Sequence, residues 1–352
     1  MIVDKDFCLS SFLALRYVYD DGFEFYSNSG YKNKILPTPT AEIRNKEDID
    51  DFLRKFFDEI YSKYRKVGIL LSGGIDSAIL ASYLRPGSYA YTFVAEGTSC
   101  FEQDFLLASI YAKRNNLIHK EVKISFKDYM VCLPGLMINK GCPVSSIEPQ
   151  MFKAAIQAKE DGVDVLLNGN SADDVFGGLS KIFSKDWSYD EFVEFFSIIN
   201  PETILNKPKD IKYAFEPYRI KGDKIDYQLF VKERFDVESY GSYCNPSEVS
   251  GLPFIDPYEN MYLGFPLDIY RIRNGEPKYL LVDLYKKIYR GITVPAKLPM
   301  PRPVDRIFAN WKGPKRSEFR KDIDMSSLTG NQKWQIWCAE YFLNVLDSYE
   351  IA

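Results

Sequence analysis

The chain has 352 residues, with 45 Lys and Arg against 49 Asp and Glu (net charge −4), 46% apolar and 27% charged. These proportions exclude a disordered, collagen-like or coiled-coil chain, and the length leaves room for about two domains with a sizeable core. No stretch reaches the roughly 18 consecutive apolar residues of a membrane span, and the opening MIVDKDFCLSS sets acids before any apolar run, unlike a signal peptide. Cysteines at 8, 100, 132, 142, 244 and 338 form no CxxC pair, and His119 is the only histidine, so a zinc site is not expected. The thiols read as reduced core residues and the compartment as the cytoplasm.

Residues 1–45 read as irregular, with a turn at Asp20–Gly22 and a loop over 34–40. Asn45 to Tyr64 carries Ile49, Phe52, Phe56, Phe57, Ile60 and Tyr64 at helical spacing. Strands are then predicted at 67–71, 89–94, 120–124 and 163–168, alternating with helices at 76–84, 105–115 (Leu106, Ile110 and Ala112 inward) and 149–159. This alternation indicates βαβ units, hence an α/β fold with a parallel twisted sheet and flanking helices. Runs such as VGILL and VDVLLN are apolar throughout, as strands covered on both faces are. Beyond about residue 185 helices are predicted at 187–199, 275–289 and 333–346. The expected division is an N-terminal extension (1–59), an α/β domain (60–185) and a mainly helical C-terminal region (186–352) completing the cleft. Residues 286–321 hold eleven Lys and Arg against two acids, a local charge of +9. They read either as a solvated surface or as a loop over an anion, with Lys297 and Arg302 foremost. Neither an aromatic RNA-binding motif nor a zinc finger supports nucleic-acid binding.

Ser72-Gly73-Gly74-Ile75-Asp76-Ser77 joins the first of these strands to a helix. Two glycines allow a tight turn, the helix N-terminus offers free N–H donors and a positive dipole end, and Ser72 and Ser77 add hydroxyls, all suited to phosphate. No Walker A loop or GxGxxG fingerprint is present. The six residues match SGGxDS of the PP-loop ATP pyrophosphatases, whose fold is adenine nucleotide α-hydrolase-like. Leu167 to Gly178 (LNGNSADDVFGG) resembles the SGEG[SA]DE[LV]FGG block of the asparagine synthetase C-terminal domain family. Glu148–Lys159 resembles the helix before that block, Gly251–Asp256 (GLPFID) is similar to its VPFLD segment, and Gly275–Leu281 to its G-x-x-K-x-x-L helix start.

The resemblance implies adenylation of a carboxylate by ATP, with release of pyrophosphate, then displacement of AMP by a nitrogen nucleophile. It places Asp76 and Asp173 on the positions that hold Mg²⁺, Lys278 on the lysine that contacts pyrophosphate and the acyl-adenylate, and Leu70, Leu71, Val94 and Gly169 around the nucleotide with Ser72, Gly73, Gly74 and Ser77. Taken singly, Asp173 and Asp174 could cap a helix, Lys278 could be solvated, and His119 reads as a hydrogen-bonded edge residue.

Two departures stand out. Glutamine-using members begin with a catalytic cysteine on a separate glutaminase domain, whereas here Ile2 follows Met1 and fewer than 70 residues precede the first predicted sheet strand. Nitrogen is therefore expected from ammonia, a separate glutaminase or a substrate amine. Asn170 stands where the block has Glu; an amide cannot be a general base but can orient a nucleophile, so conversion of aspartate to asparagine is in doubt. A sulfur transferase with a persulfide on Cys100 or Cys142, or a non-catalytic nucleotide-binding subunit, are the alternatives.

Overall fold

The computed structural model describes residues 1–94, 99–296, 300 and 302–349, with 99–101 as backbone only. Lys297, one of the basic residues singled out above, lies outside the described residues.

The helices that frame the molecule are α1 (Lys5–Leu15), α2 (Lys46–Lys63), α3 (Ile75–Ala81), α4 (Ser99–Arg114), α5 (Phe126–Lys140), α6 (Glu148–Glu160), α7 (Ala172–Val175), α8 (Tyr189–Phe196), α9 (Asp236–Ser250), α10 (Tyr279–Ile288) and α11 (Gly330–Ser348). Between them a parallel sheet is built from β1 (Val67–Leu70), β2 (Tyr89–Val94), β3 (Ile118–Lys123), β4 (Val165–Leu167) and β5 (Phe254–Ile255), in the order β5-β4-β1-β2-β3. The expected parallel sheet with flanking helices is present. Its fifth strand comes from the C-terminal region, which is otherwise mainly helical as expected.

Alternate strand residues feed two cores, as the period of two in a strand requires. Val67, Ile69, Ala90, Val165 and Leu167 face one core with α2, α3 and α10, while Leu70, Tyr91, Phe93, Val122 and Leu166 face the other with α1, α5, α6 and α11. A third cluster, around α8 and residues 211–231, packs apart from the sheet.

Local chemistry explains several boundaries. Asn45 caps α2 by accepting from the N–H groups of Glu47 and Asp48, and Asp48 returns a bond to Asn45, a reciprocal cap. Ser125 and Asp128 do the same for α5, which then runs through Pro134 with one backbone donor fewer. The segment expected to be irregular at 1–45 contains α1, whose Phe7 to Leu15 are all buried. A helix apolar all round leaves no amphipathic stripe to read. Helix α4 turns differently from the expectation: Leu106 and Ile110 are 65% and 47% exposed, while Ala108, Tyr111 and Ala112 are buried. Helices α5 and α9 had no predicted counterpart.

No helix among the described residues is long and apolar enough to cross a membrane. Cys8, Cys132, Cys142 and Cys338 are buried free thiols and Cys244 is half-buried and free.

Candidate active site

The chain runs from β1 through β2 to β3 on one side and then returns to lay β4 on the opposite side of β1. At such a switch point the loops leaving the two central strands diverge and open a crevice beyond their carboxyl ends. The turn after β1 (72–77) and the turn after β4 (168–174) are the two that meet there. Each carries an aspartate.

These aspartates converge on one cation. Lys278 Nζ lies 2.6 Å from Asp76 Oδ2 and 2.6 Å from Asp173 Oδ1, so the two carboxylate oxygens are at most twice that distance apart. Lys278 is 6% exposed and takes the left-handed conformation (φ 51°) just before α10, after Gly275 at φ 88°. This backbone, sparsely populated by residues with a side chain, turns the ammonium into the crevice. Burial works to lower the lysine pKa, but the two carboxylates outweigh it and hold the group above its ordinary value. Gly178 is obligatory here, because a Cβ would run into both Asp173 Oδ1 and Lys278 Cε.

The N–H groups of the glycine turn are engaged, two within the turn and one by α4. Ser72 N–H donates to Ser77 Oγ (3.0 Å), Gly74 N–H to Ser72 Oγ (3.1 Å) and Gly73 N–H to Asp104 Oδ1 (2.7 Å). Asp104 is buried on α4, and burial raises its pKa although the Gly73 bond opposes this. Its carboxylate occupies one of the N–H seats that the sequence assigns to phosphate. Leu71 N–H donates to Tyr91 C=O (2.8 Å), Leu71 C=O accepts from Thr92 Oγ1 (2.6 Å) and Val94 C=O accepts from Ile124 N–H (3.0 Å). The backbone groups expected around adenine are thus partly engaged, each carbonyl keeping a second lone pair. Leu70 lies within β1, paired to Tyr91.

Asn170, whose N–H donates to Asn168 Oδ1 (3.1 Å), lines a small cavity of about 60 Å³ with Ser171, Tyr243, Asp256 and Glu259. Gly169 is pressed between Tyr258 and Asp76, where a Cβ would meet them at 3.2 and 3.5 Å.

Sequence reasoning missed the strut behind these loops. The buried Asp256 accepts from Ser171 N–H (2.6 Å) and Tyr258 N–H (2.9 Å), and Tyr258 Oη donates to Asp76 C=O (3.0 Å). Burial pushes the Asp256 carboxyl up to about 7, against the pull of its N–H donors. The GLPFID segment was legible as a similarity, but nothing in it signalled this bond pattern. Asp174 abuts Asp236, and burial followed by that neighbour holds it well above the usual carboxylate range.

His119 sits on edge strand β3, bonded to Thr92 (2.8 Å) and Ser109 (3.2 Å), its pKa lowered by burial. In the basic stretch, Lys287 pairs with Asp50, Arg316 with Glu318 and Asp347, and Arg320 with Asp322, while Arg302 donates to Asn331.

A pair of carboxylates sharing one cation is the donor set Mg²⁺ takes when phosphate oxygens complete its shell. No cluster of three or more His, Cys, Asp or Glu among the described residues could cage a metal.

Comparison with known proteins bears on the same region. The asparagine synthase family model matches residues 49–230, which include both loops but neither Asp256 nor Lys278. A glutamine-hydrolysing asparagine synthetase candidate of Methanocaldococcus jannaschii is 28% identical over 172 residues, 47% of this chain and 31% of its own length. The chain therefore spans about a third of that relative. Among solved structures, NMN synthetase from Francisella tularensis aligns with 59% of this chain and 94% of its own (14% identity, TM-score 0.29). The U34-tRNA thiolase NcsA of Methanococcus maripaludis, with its [4Fe-4S] cluster, aligns with 66% and 75% (19% identity, TM-score 0.22). With the family model covering both aspartate-bearing loops and more than half of the sequence, this chain belongs to the asparagine synthase family.

Proposed function

We propose that the protein is an ATP-dependent ligase that forms AMP and pyrophosphate while joining a carboxylate to a nitrogen nucleophile. The observation that carries this reading is the convergence of Asp76, Asp173 and Lys278 at the switch point of the sheet. Adenylation needs a dense positive field at the α–β bridge of ATP, because negative charge accumulates on the departing pyrophosphate. The turn at 72–77 and the N-terminus of α3 would receive the phosphates, Gly73 N–H exchanging Asp104 for a phosphate oxygen. Asp76 and Asp173 would hold Mg²⁺, which supplies charge neutralisation across the phosphates. Lys278, already above its ordinary pKa, stays cationic at neutral pH and would follow the leaving group.

In the first step an acceptor carboxylate oxygen bonds to the α-phosphorus, and the bond to the bridging oxygen breaks with its electron pair on pyrophosphate. In the second, a neutral nitrogen bonds to the acyl carbon, the C–O bond to AMP breaks, and the surplus proton leaves to solvent. Asn170 would orient that nitrogen and cannot deprotonate it. Ammonia, a separate glutaminase or a substrate amine would each meet this requirement, and the acceptor is a small carboxylate.

Incubation with ATP, Mg²⁺ and ¹⁸O-labelled carboxylates should release pyrophosphate and leave label in AMP. ADP and phosphate as products would overturn the reading, and ATP binding without turnover would favour a nucleotide-binding subunit. Sulfur transfer would require a reactive thiol, and the buried Cys142 is poorly suited because burial pushes it up to about 12. The Cys100 side chain lies outside the described residues.

A further inference from the structure

Two arginines that the ligase reading does not use meet on one face of α11. Asn331 and Gln335 stand four residues apart on that helix, so their side chains are neighbours. Asn331 Oδ1 accepts from Arg302 (3.1 Å) and from Ser146 Oγ (3.2 Å), and Gln335 Oε1 accepts from Arg16 (3.4 Å). Two guanidiniums are thus held side by side on neutral amides. Arg302 is one of the two bases foremost in the basic stretch of the sequence.

Their charge is poorly matched. Arg16 closes α1 in the left-handed conformation (φ 68°), and its side chain is only 16% exposed. That backbone is uncommon for a residue with a side chain, and a buried cation ordinarily has a close acid. The acid nearest Arg16, Glu238, stands 3.9 Å away with its other oxygen accepting from Ser242 Oγ. Arg302 is half-buried and its hydrogen bond among the described residues goes to an amide. Burial lowers the Arg16 pKa to about 10 against the pull of Glu238, and the Arg302 charge lowers it further. Each guanidinium carries five N–H donors, of which one on each is hydrogen-bonded among the described residues. Beside Ser146, the buried Ser145 Oγ has no partner among the described residues.

Tyr243 links the pair to the reactive loops, because it lines the small cavity with Asn170 and Asp256. Burial raises its pKa, and the charges acting on it come from Asp256 and Asp173 as well as from Arg302 and Glu238. A guanidinium presents two parallel N–H groups to an oxyanion, so one such fork serves a carboxylate. Two adjacent forks match the three terminal oxygens of a phosphate monoester.

We infer that Arg16 and Arg302 form a seat for a phosphate monoester group carried by a small-molecule substrate. The inference deepens the ligase reading, on which it rests for the role of the phosphate but not for the binding itself. That role is to anchor the acceptor beside Asn170, apart from the turn at 72–77 that would receive ATP.

Calorimetric titration of the full chain with glycerol 3-phosphate, without ATP or Mg²⁺, tests it, with glycerol as the uncharged control and succinate as the carboxylate control. Glycerol 3-phosphate should bind, glycerol should not, and succinate should bind at least about tenfold more weakly. Arg16→Gln and Arg302→Gln should each weaken glycerol 3-phosphate binding by about tenfold or more, about 1.4 kcal/mol. Should Arg16→Gln fail to fold, Arg302→Gln gives the same readout. Three results each overturn the inference: no binding, succinate binding as tightly as glycerol 3-phosphate, or affinity unchanged in Arg302→Gln, which would mean that the phosphate sits at the turn instead. Pyrophosphate release is measured separately on the same preparation. Release without glycerol 3-phosphate binding removes the seat and leaves the ligase reading, and binding without release upholds the seat and removes its role in ligation.

Discussion

Lys278 concentrates the residue-scale problem. Its ammonium holds two carboxylates together, and those side chains are only 23% and 30% exposed. Removing one partner of a mostly buried ionic set exposes the others to uncompensated repulsion. Lys278→Met should therefore destabilise the protein by about 1–3 kcal/mol. Because Mg²⁺ can supply the missing cation, MgCl₂ should raise the melting temperature of the variant more than that of the wild type; equal shifts in a thermal melt would argue against a metal seat at Asp76 and Asp173. Asp76→Asn and Asp173→Asn should each lower pyrophosphate release by about 100-fold or more, since each removes a charge needed only as the leaving group departs. Cys100→Ala should leave turnover unchanged, whereas its loss would restore the sulfur-transfer reading.

Elements hold these residues in register through a few backbone contacts. The segment after β5 reaches one loop through Asp256 and the other through Tyr258, so it sets the spacing between Asp173 and Asp76. Asp256→Asn keeps one acceptor and turns a donor toward the other N–H, which should cost about 1–3 kcal/mol and slow adenylation. Tyr258→Phe deletes only the bond to Asp76 C=O and should cost about 1 kcal/mol, measured by urea unfolding. The same strut carries a pH signature. Burial raises Asp256 and Glu259 to about 7, above their unfolded values, so the folded chain binds these protons more tightly. Their contribution to stability is present below about pH 4 and is lost as the pH rises toward 7. Urea unfolding at pH 5 and 7.5 should show this decline, and Asp256→Asn or Glu259→Gln should flatten it by about 1 kcal/mol or more.

Across the whole molecule the site is assembled from distant parts of the chain. The family-matched stretch ends at residue 230, yet β5 closes the sheet edge beside β4, with Leu166 N–H donating to Pro253 C=O and Asn168 N–H to Ile255 C=O. A fragment of residues 1–230 would leave that edge unpaired and lack Asp256 and Lys278. It should show no cooperative melt and no pyrophosphate release when compared with the full chain.

Apolar strand runs alternating with helical periods, and two glycine-bearing turns, were enough to read four strands of the parallel sheet, α2, and the loops with Asp76 and Asp173, because period and turn chemistry are local properties of the chain. Helix α1, buried on all sides, and α5, which runs through Pro134, carry no such local signal. Nor does a sequence state that Asp104 will occupy Gly73 N–H, that Asp256 will brace Ser171, or that Asp174 will abut Asp236. Those pairings join residues 31 to 85 positions apart in the chain, and only the order of strands in the folded sheet, with the burial it imposes, brings them within bonding distance.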